Sequence, residues 1–443
     1  MSPFQRVSSL TKNRHSVAAL TLSGRTANKS RSIDEVTRSG SELPCVTRSI
    51  CFSSSAALSM RLALTQHKRR CPVCKWWNPS RGGDVKVHTM FSNRRAFLQN
   101  SATVLASGTM ARVGSIGGSD LPKQPVKGFA AGQNHRRKEL WSLLGDLPWQ
   151  HRSGPAKLVK TEEHDGYKLE RLVLDLNGQE PVPALLLIPD KRQTPAPGLL
   201  YIHWHAGMYE LGKEQLLKGV AVQPTYAPVC AEKGLVTLAI DSWCFGERQH
   251  NAEGHTGEED AFKLMLWQGQ VLFGMMMFDE FRAFDYLASR PEVDPERLGV
   301  FGMSMGSTKA WWLAALEPRV KVCMDVCCLT DFDELIKTHG LKGHGIFYYV
   351  PSLLKHFQTA QINELIVPRP HLSLNGRQDP LTPPLGVQKI RDYLQPLYRQ
   401  HGNERDCQIE LYDCAHVELP EMRKTILKWM DRYLVERSLG VKP

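Results

Sequence analysis

The chain has 443 residues, 42% of them hydrophobic and 23% charged, which is ordinary for a globular protein. It holds no run of 18 or more apolar residues of the kind a membrane-spanning helix needs. Its formal charge of +11 comes from residues 1–89, with 15 Lys and Arg against 4 Asp and Glu; the remainder holds 41 of each, so no basic stripe for nucleic acid is expected in the main body.

Residues 1–89 are rich in Ser, Thr, Arg and Lys without sustained apolar periodicity, and are expected to be a disordered or untranslated leader. They include Cys71-Pro-Val-Cys74, but no second ligand pair follows at the spacing a structural zinc site needs. At Met90 the character changes. Arg94-Arg95, then Phe97-Leu98, then a weakly apolar stretch over 96–111 resemble a twin-arginine export signal, so 90–125 is read as signal and linker. That reading implies translation from Met90, the twin-arginine export machinery as a partner, and a periplasmic or secreted product. The alternative is a chance Arg pair in a basic linker, in a cytoplasmic protein. Residues 126–156 are expected to form a helical extension, with a helix at about Arg136–Leu144.

From Lys157 to the C-terminus the pattern becomes strand and helix in alternation. Short aliphatic runs predict eight strands, at Leu169–Leu176, Val182–Ile188, Gly198–His203, Leu235–Asp241, Leu298–Gly302, Val320–Val326, His371–Asn375 and Gln408–Tyr412. Met277, Phe281, Phe284 and Ala288 recur at helical spacing opposite Asp279, Glu280, Arg282 and Asp285, which predicts an amphipathic helix. Met275–Met277 is expected to fill core. A mostly parallel sheet covered by helices on both faces follows, an α/β architecture with an insert between the sixth and seventh predicted strands. Eight strands with the first few joined without helices fit the α/β-hydrolase plan.

The segment Gly302-Met-Ser304-Met-Gly306 lies between an apolar strand and a helix-compatible run at Thr308–Leu316. A serine nucleophile on such a turn needs strained backbone angles and neighbours without side chains, which Gly302 and Gly306 supply. The N–H of Met305 would then begin a helix and face a developing oxyanion. In this plan the acid and base follow the serine in that order. Asp379 lies in a proline-rich turn after the seventh predicted strand, and His416 lies after the eighth. Asp413 is the second candidate for the acid, and Asp331 or Asp333 the third. His339, His344 and His356 fall in the insert and are expected to be lid, substrate-side or exposed residues. Cys323, Cys327 and Cys328 are expected to be small buried hydrophobes.

After the third predicted strand, His203-Trp-His205-Ala206-Gly207 offers a second oxyanion N–H near Ala206, with His205 on the substrate side. A metal held by His203 and His205 would need further ligands that the neighbourhood does not suggest. Trp243 and Phe245, after the fourth predicted strand, are expected to wall the acyl or alcohol site; ordinary packing is the alternative. Taken together, His203-x-His-x-Gly207, Tyr226-Ala-Pro leading to Gly234-Leu-Val-Thr-Leu-Ala-Ile-Asp241, Phe245-Gly-Glu-Arg248 and Gly302-Met-Ser-Met-Gly306 resemble bacterial acetyl xylan esterase-like and dienelactone hydrolase-like proteins over about 157–437. The resemblance implies hydrolysis of a small-molecule or carbohydrate ester, no cofactor, no metal, and a triad at Ser304, Asp379 and His416. Two departures are visible: dienelactone hydrolases use Cys where Ser304 stands, and the similar glucuronoyl esterases tend to place Arg where Met305 stands. The second reading is a prolyl oligopeptidase-like peptidase; such proteins usually carry a propeller before the hydrolase, for which the roughly 150 preceding residues are too few. A non-catalytic binding protein on the same scaffold is the third alternative.

Overall fold

The computed structural model describes residues 128–249 and 254–436. The leader at 1–89 and the twin-arginine signal and linker at 90–125 lie outside the described residues, as do Cys71 and Cys74. Among the described residues no helix is long and apolar enough to cross a membrane.

One mixed sheet organises the chain. Its strands are β1 (Lys157–His164), β2 (Tyr167–Leu174), β3 (Val182–Pro189), β4 (Ala196–Ile202), β5 (Val236–Ile240), β6 (Val293–Met303), β7 (Val322–Val326), β8 (His371–Gly376) and β9 (Cys407–Tyr412). The helices are α1 (Phe129–Ser142), α2 (Ala227–Glu232), α3 (Gly254–Trp267), α4 (Leu272–Ser289), α5 (Met305–Leu316), α6 (Phe332–Lys337), α7 (Thr359–Glu364), α8 (Pro384–Gln400) and α9 (Pro420–Met430). After α9 the chain continues as a π-helical turn at Asp431–Val435.

Among the described residues nine strands are present where eight were expected, and the extra one is β1. Its residues, Lys-Leu-Val-Lys-Thr-Glu-Glu-His, are exposed almost throughout, so no buried alternation marks it in the sequence. It is held by antiparallel pairing with β2, and Arg171 on β2 reaches Glu162 on β1 at 2.9 Å. A charged row on an edge strand discourages further strand pairing.

The strand order is β1-β2-β3-β5-β4-β6-β7-β8-β9. Pairing is antiparallel from β1 to β5 and parallel from β5 through β4 to β9. The central strands β3, β4, β5 and β7 are buried along their whole length, because helices cover both faces. Alternate residues feed two cores: Leu200, Leu238 and Val300 pack on the face of α4, α5 and α8, while Leu199, Ala239 and Phe301 pack on the face of α2 and α9. Met275, Met276 and Met277 are all core residues of the first face. Helix α1 docks on that face too, its Arg137 donating to the carbonyls of Ala315 and Leu365 at 2.9 and 2.7 Å.

This topology gathers the site. From β4 the chain crosses to β5 on one side, and β6 then pairs with β4 on the other, so a crevice opens at the carboxyl ends of β4 and β6. The residues after β4, β6, β7, β8 and β9 all emerge along that same edge. The insert, between β7 and β8 in the observed numbering, carries α6 and α7.

Candidate active site

Ser304 stands between β6 and α5 with φ 57° and ψ −118°, a combination that L-residues adopt only where their surroundings impose it. The imposed part is visible at both glycines. A Cβ on Gly302 would lie 2.4 Å from the Gly306 carbonyl, and one on Gly306 would lie 2.1 Å from the Ile202 carbonyl oxygen. The start of α5 therefore crosses the end of β4 at backbone contact. The elbow is also tied to β7, with the Ser304 N–H donating to the Val326 carbonyl at 2.9 Å. Met305 opens α5, where a backbone N–H has no helical acceptor.

Asp379 occupies the turn after β8 and is 2% exposed. Its Oδ2 accepts from His416 Nδ1 at 2.7 Å, and its Oδ1 accepts the Leu381 N–H at 2.9 Å. With the proton of a neutral imidazole held on Nδ1, Nε2 is left as a base. The two turns brace each other: the Arg377 N–H donates to the Tyr412 carbonyl and the Gln378 N–H to the Cys414 carbonyl, at 2.8 and 2.9 Å. The other candidate acids are engaged elsewhere. Asp413 accepts from the Gln378 amide at 2.8 Å, Asp331 caps α6 through the Glu334 N–H, and Asp333 accepts from the Gln358 amide. Asp379 is the acid that geometry joins to His416.

A cavity of about 310 Å³ is lined by Ser304 and His416 together with Met305, Ala206, Gly207 and His205. The Ser304 hydroxyl makes no hydrogen bond among the described residues; in a free enzyme such contacts are commonly long and tighten on binding. Ala206 sits at a positive φ of 40°. Both nitrogens of His203 are used internally, Nδ1 donating to the Trp204 carbonyl and Nε2 accepting the Ser242 N–H, each at 3.0 Å, so its one available lone pair, on Nε2, is spent on structure rather than on a metal. Burial holds its pKa well below the imidazole range, with the neighbouring Lys309 charge adding to the effect.

Two expected wall residues lie elsewhere. Trp243 lines a separate cavity of about 300 Å³ beside Arg248 and Met265. Phe245 has no exposed surface and backs the rings of His205 and Tyr209 at 5.0 and 4.8 Å. The chain turns sharply after β5, with Cys244 at φ 72°. The insert supplies the wall instead, through Lys342–Gly345 and Phe347. His344 stacks on Tyr348 at 4.2 Å and donates from Nε2 to the Leu381 carbonyl at 3.0 Å. Burial pushes its pKa down to about 4, so it faces the cavity neutral. His339 is exposed, and His356 pairs with Glu139 at 2.9 Å, away from the cavity.

The described cysteines are free and buried. Cys327 lies behind Asp379 and His416, and burial together with the Asp379 charge raises its thiol well above the usual range. Cys328 and Thr308 line the cavity, which their sequence context did not suggest. Beneath the edge, Lys309 of α5 is fully buried against Glu280 of α4 at 2.9 Å and also donates to the Ser242 hydroxyl.

Residues 121–381 match the Abhydrolase family model. A Bacillus subtilis (strain 168) protein named "Putative hydrolase YtaP" is 42% identical over 301 residues, 68% of this chain and 99% of that protein. Among solved structures, "Methylesterase BT1017" is similar with a TM-score of 0.54 at 18% identity, over 71% of this chain and 68% of that one. A "putative acetyl xylan esterase" from Bacteroides fragilis NCTC 9343 is similar with a TM-score of 0.52 at 19% identity, over 65% and 76% of the two chains. At such identities the likeness to these two is one of fold.

Proposed function

The chain belongs to the Abhydrolase family of α/β-hydrolases, and from that premise we propose that it hydrolyses carboxylic esters through an acyl-enzyme on Ser304, with His416 as base and Asp379 as the acid that orients it. The observation that carries the reading is a serine at a strained strand-to-helix turn, sharing a cavity with an imidazole whose Nδ1 is 2.7 Å from a buried carboxylate.

In the first step Ser304 Oγ attacks the ester carbonyl carbon as His416 Nε2 takes its proton. The oxyanion that forms is stabilised by the N–H of Met305 and that of Ala206. His416 then returns the proton to the departing alcohol, and water repeats the sequence on the acyl-enzyme. Size and kinship of fold support a substrate class: a cavity of about 310 Å³ suits a short acyl group, and the fold neighbours above are named "Methylesterase BT1017" and "putative acetyl xylan esterase". We take a small-molecule or acetylated-carbohydrate ester as the substrate. Export by the twin-arginine route is a separate part of the proposal, and loss of export on changing Arg94 and Arg95 to Lys is its test.

The test of the reaction is labelling with a serine-directed fluorophosphonate, beside turnover of aryl esters from acetate to octanoate, acetylated xylan and a prolyl peptide. We expect labelling that maps to Ser304, turnover that is highest at acetate, and no peptide cleavage. Peptide cleavage without ester cleavage would move the protein to the peptidases. Absence of both labelling and turnover would make the scaffold a binding protein.

A further inference from the structure

Helix α3 contributes one residue to the site that neither the triad nor the cavity wall accounts for. Glu258 has no exposed surface, and a single oxygen of its carboxylate, Oε2, takes both of its contacts: the Tyr209 hydroxyl donates to it at 2.8 Å, and His205 Nε2 lies 3.1 Å away. Its Oε1 has no partner among the described residues. A buried carboxylate left half-satisfied is unfavourable for stability, and such groups persist where they serve a site.

The other nitrogen of His205 shows what is served. Nδ1 accepts the N–H of Gly207 at 3.0 Å, so it carries no proton, and the proton of the neutral ring is on Nε2, donated to Glu258. The ring is clamped as well as tautomerically fixed. Phe347 stacks on it at 5.6 Å, Tyr209 and Phe245 meet it edge-on at 4.9 and 5.0 Å, and a Cβ on Gly345 would lie 2.9 Å from Nε2. The bond from Gly207 closes a two-residue turn around Ala206, the residue at positive φ that lines the cavity. The N–H of Ala206 has no protein acceptor among the described residues, so the turn ties up Gly207 and leaves Ala206 free to donate.

We propose that Glu258 is a positioning residue for the oxyanion loop: it holds the His205 proton on Nε2, so that Nδ1 can fix Gly207 and present the Ala206 N–H to the substrate oxygen. The proposal rests on the esterase reading above and adds a residue that touches no reacting atom. Without Glu258 the ring is free to take the other tautomer, whose Nδ1–H would oppose the Gly207 N–H and loosen the turn. A donor that acts on the oxyanion affects the transition state and leaves ground-state binding nearly unchanged.

The experiment uses the full chain and a short aryl ester, with a trifluoromethyl ketone as the tetrahedral inhibitor. For Glu258→Leu we expect kcat to fall about 10- to 100-fold, part of the 100- to 1,000-fold that loss of one donor typically brings. KM should stay within about threefold, and the inhibition constant for the ketone should rise in proportion to the loss in kcat/KM. Glu258→Gln, whose amide oxygen still accepts from His205 and Tyr209, should recover most of the lost rate. Glu258→Leu added to His205→Leu should cost nothing more, because both remove one device. If Glu258→Leu does not fold, Glu258→Met, closer in shape to the original side chain, is read in the same way. Losses that multiply, a loss confined to KM, or an inhibition constant that does not follow kcat/KM would overturn the proposal. Wild-type protein that neither turns over esters nor reacts with the fluorophosphonate would instead overturn the esterase reading.

Discussion

Among the described residues, two His–Asp pairs with a fully buried carboxylate have nearly the same length, one at the cavity and one inside the sheet. His416 Nδ1 is 2.7 Å from Asp379, and His371 Nε2 is 2.8 Å from Asp325. What separates them is where the second nitrogen and the remaining carboxylate oxygen go. The His416 side chain is 23% exposed, on the edge where Ser304 emerges, whereas that of His371 is fully buried and its Nδ1 has no partner among the described residues. Asp325 also accepts from Ser373 at 2.6 Å and from Ser307 at 3.2 Å, so it joins β7, β8 and α5 in one polar knot. A carboxylate on an imidazole is thus a structural tie by default. It becomes an acid–base device only where the free nitrogen meets a nucleophile and a space for substrate.

Substitutions can break this comparison at either end. The largest effect is expected for Ser304→Ala, which should lower kcat by about five to six powers of ten. Its melting temperature should stay near wild type, because a hydroxyl at the elbow contributes little packing. Asp379→Asn should come next, losing on the order of 10,000-fold in kcat near neutral pH through a wrong imidazole tautomer, with the fold retained by circular dichroism. Asp325→Ala should do the reverse. By denaturant titration it should lose about 3–5 kcal/mol of stability, because a buried imidazole and two hydroxyls lose their acceptor, while the kcat of the folded protein stays within about threefold. If Asp325→Ala instead abolished turnover in a folded protein, the two pairs would not be separable as argued. The smallest effect belongs to Asp413→Asn, within about twofold in kcat, since its carboxylate accepts from the Gln378 amide at the surface rather than from His416.

The sequence announces one of these pairs and hides the other for a physical reason. Asp379 and His416 follow apolar strand runs into turns, and the parallel sheet delivers such turns to one edge whatever their separation along the chain. The elbow was legible because Gly302 and Gly306 are required by close backbone contact. Asp325 and His371 lie within strands, where a polar residue in an apolar run gives no sign of its partner on the next strand. Glu258 and the insert residues His344 and Phe347 were beyond reach for another cause: they come from segments whose approach to the cavity is set by tertiary packing. Trp243 and Phe245 show the opposite error, since emergence at the right edge does not decide which way a sharply turning loop points its side chains. β1 was missed because pairing alone defines it, and pairing leaves no pattern in a strand exposed on both faces.

The buried pair of Lys309 and Glu280 has a consequence for how this protein can change over generations. Lys309 is on the helix that begins just after Ser304, and Glu280 reaches it from α4, with almost no exposed surface on either side chain. Losing one partner strands a charge at a cost of about 3–5 kcal/mol, whereas exchanging both for apolar side chains of similar volume is often neutral. Descendants that differ at one position should therefore differ at both, and intermediates with a single change should be rare unless Ser242, the third member of the contact, changes with them. A library that randomises the two positions together should recover folded, active variants as matched pairs and almost never as single exchanges.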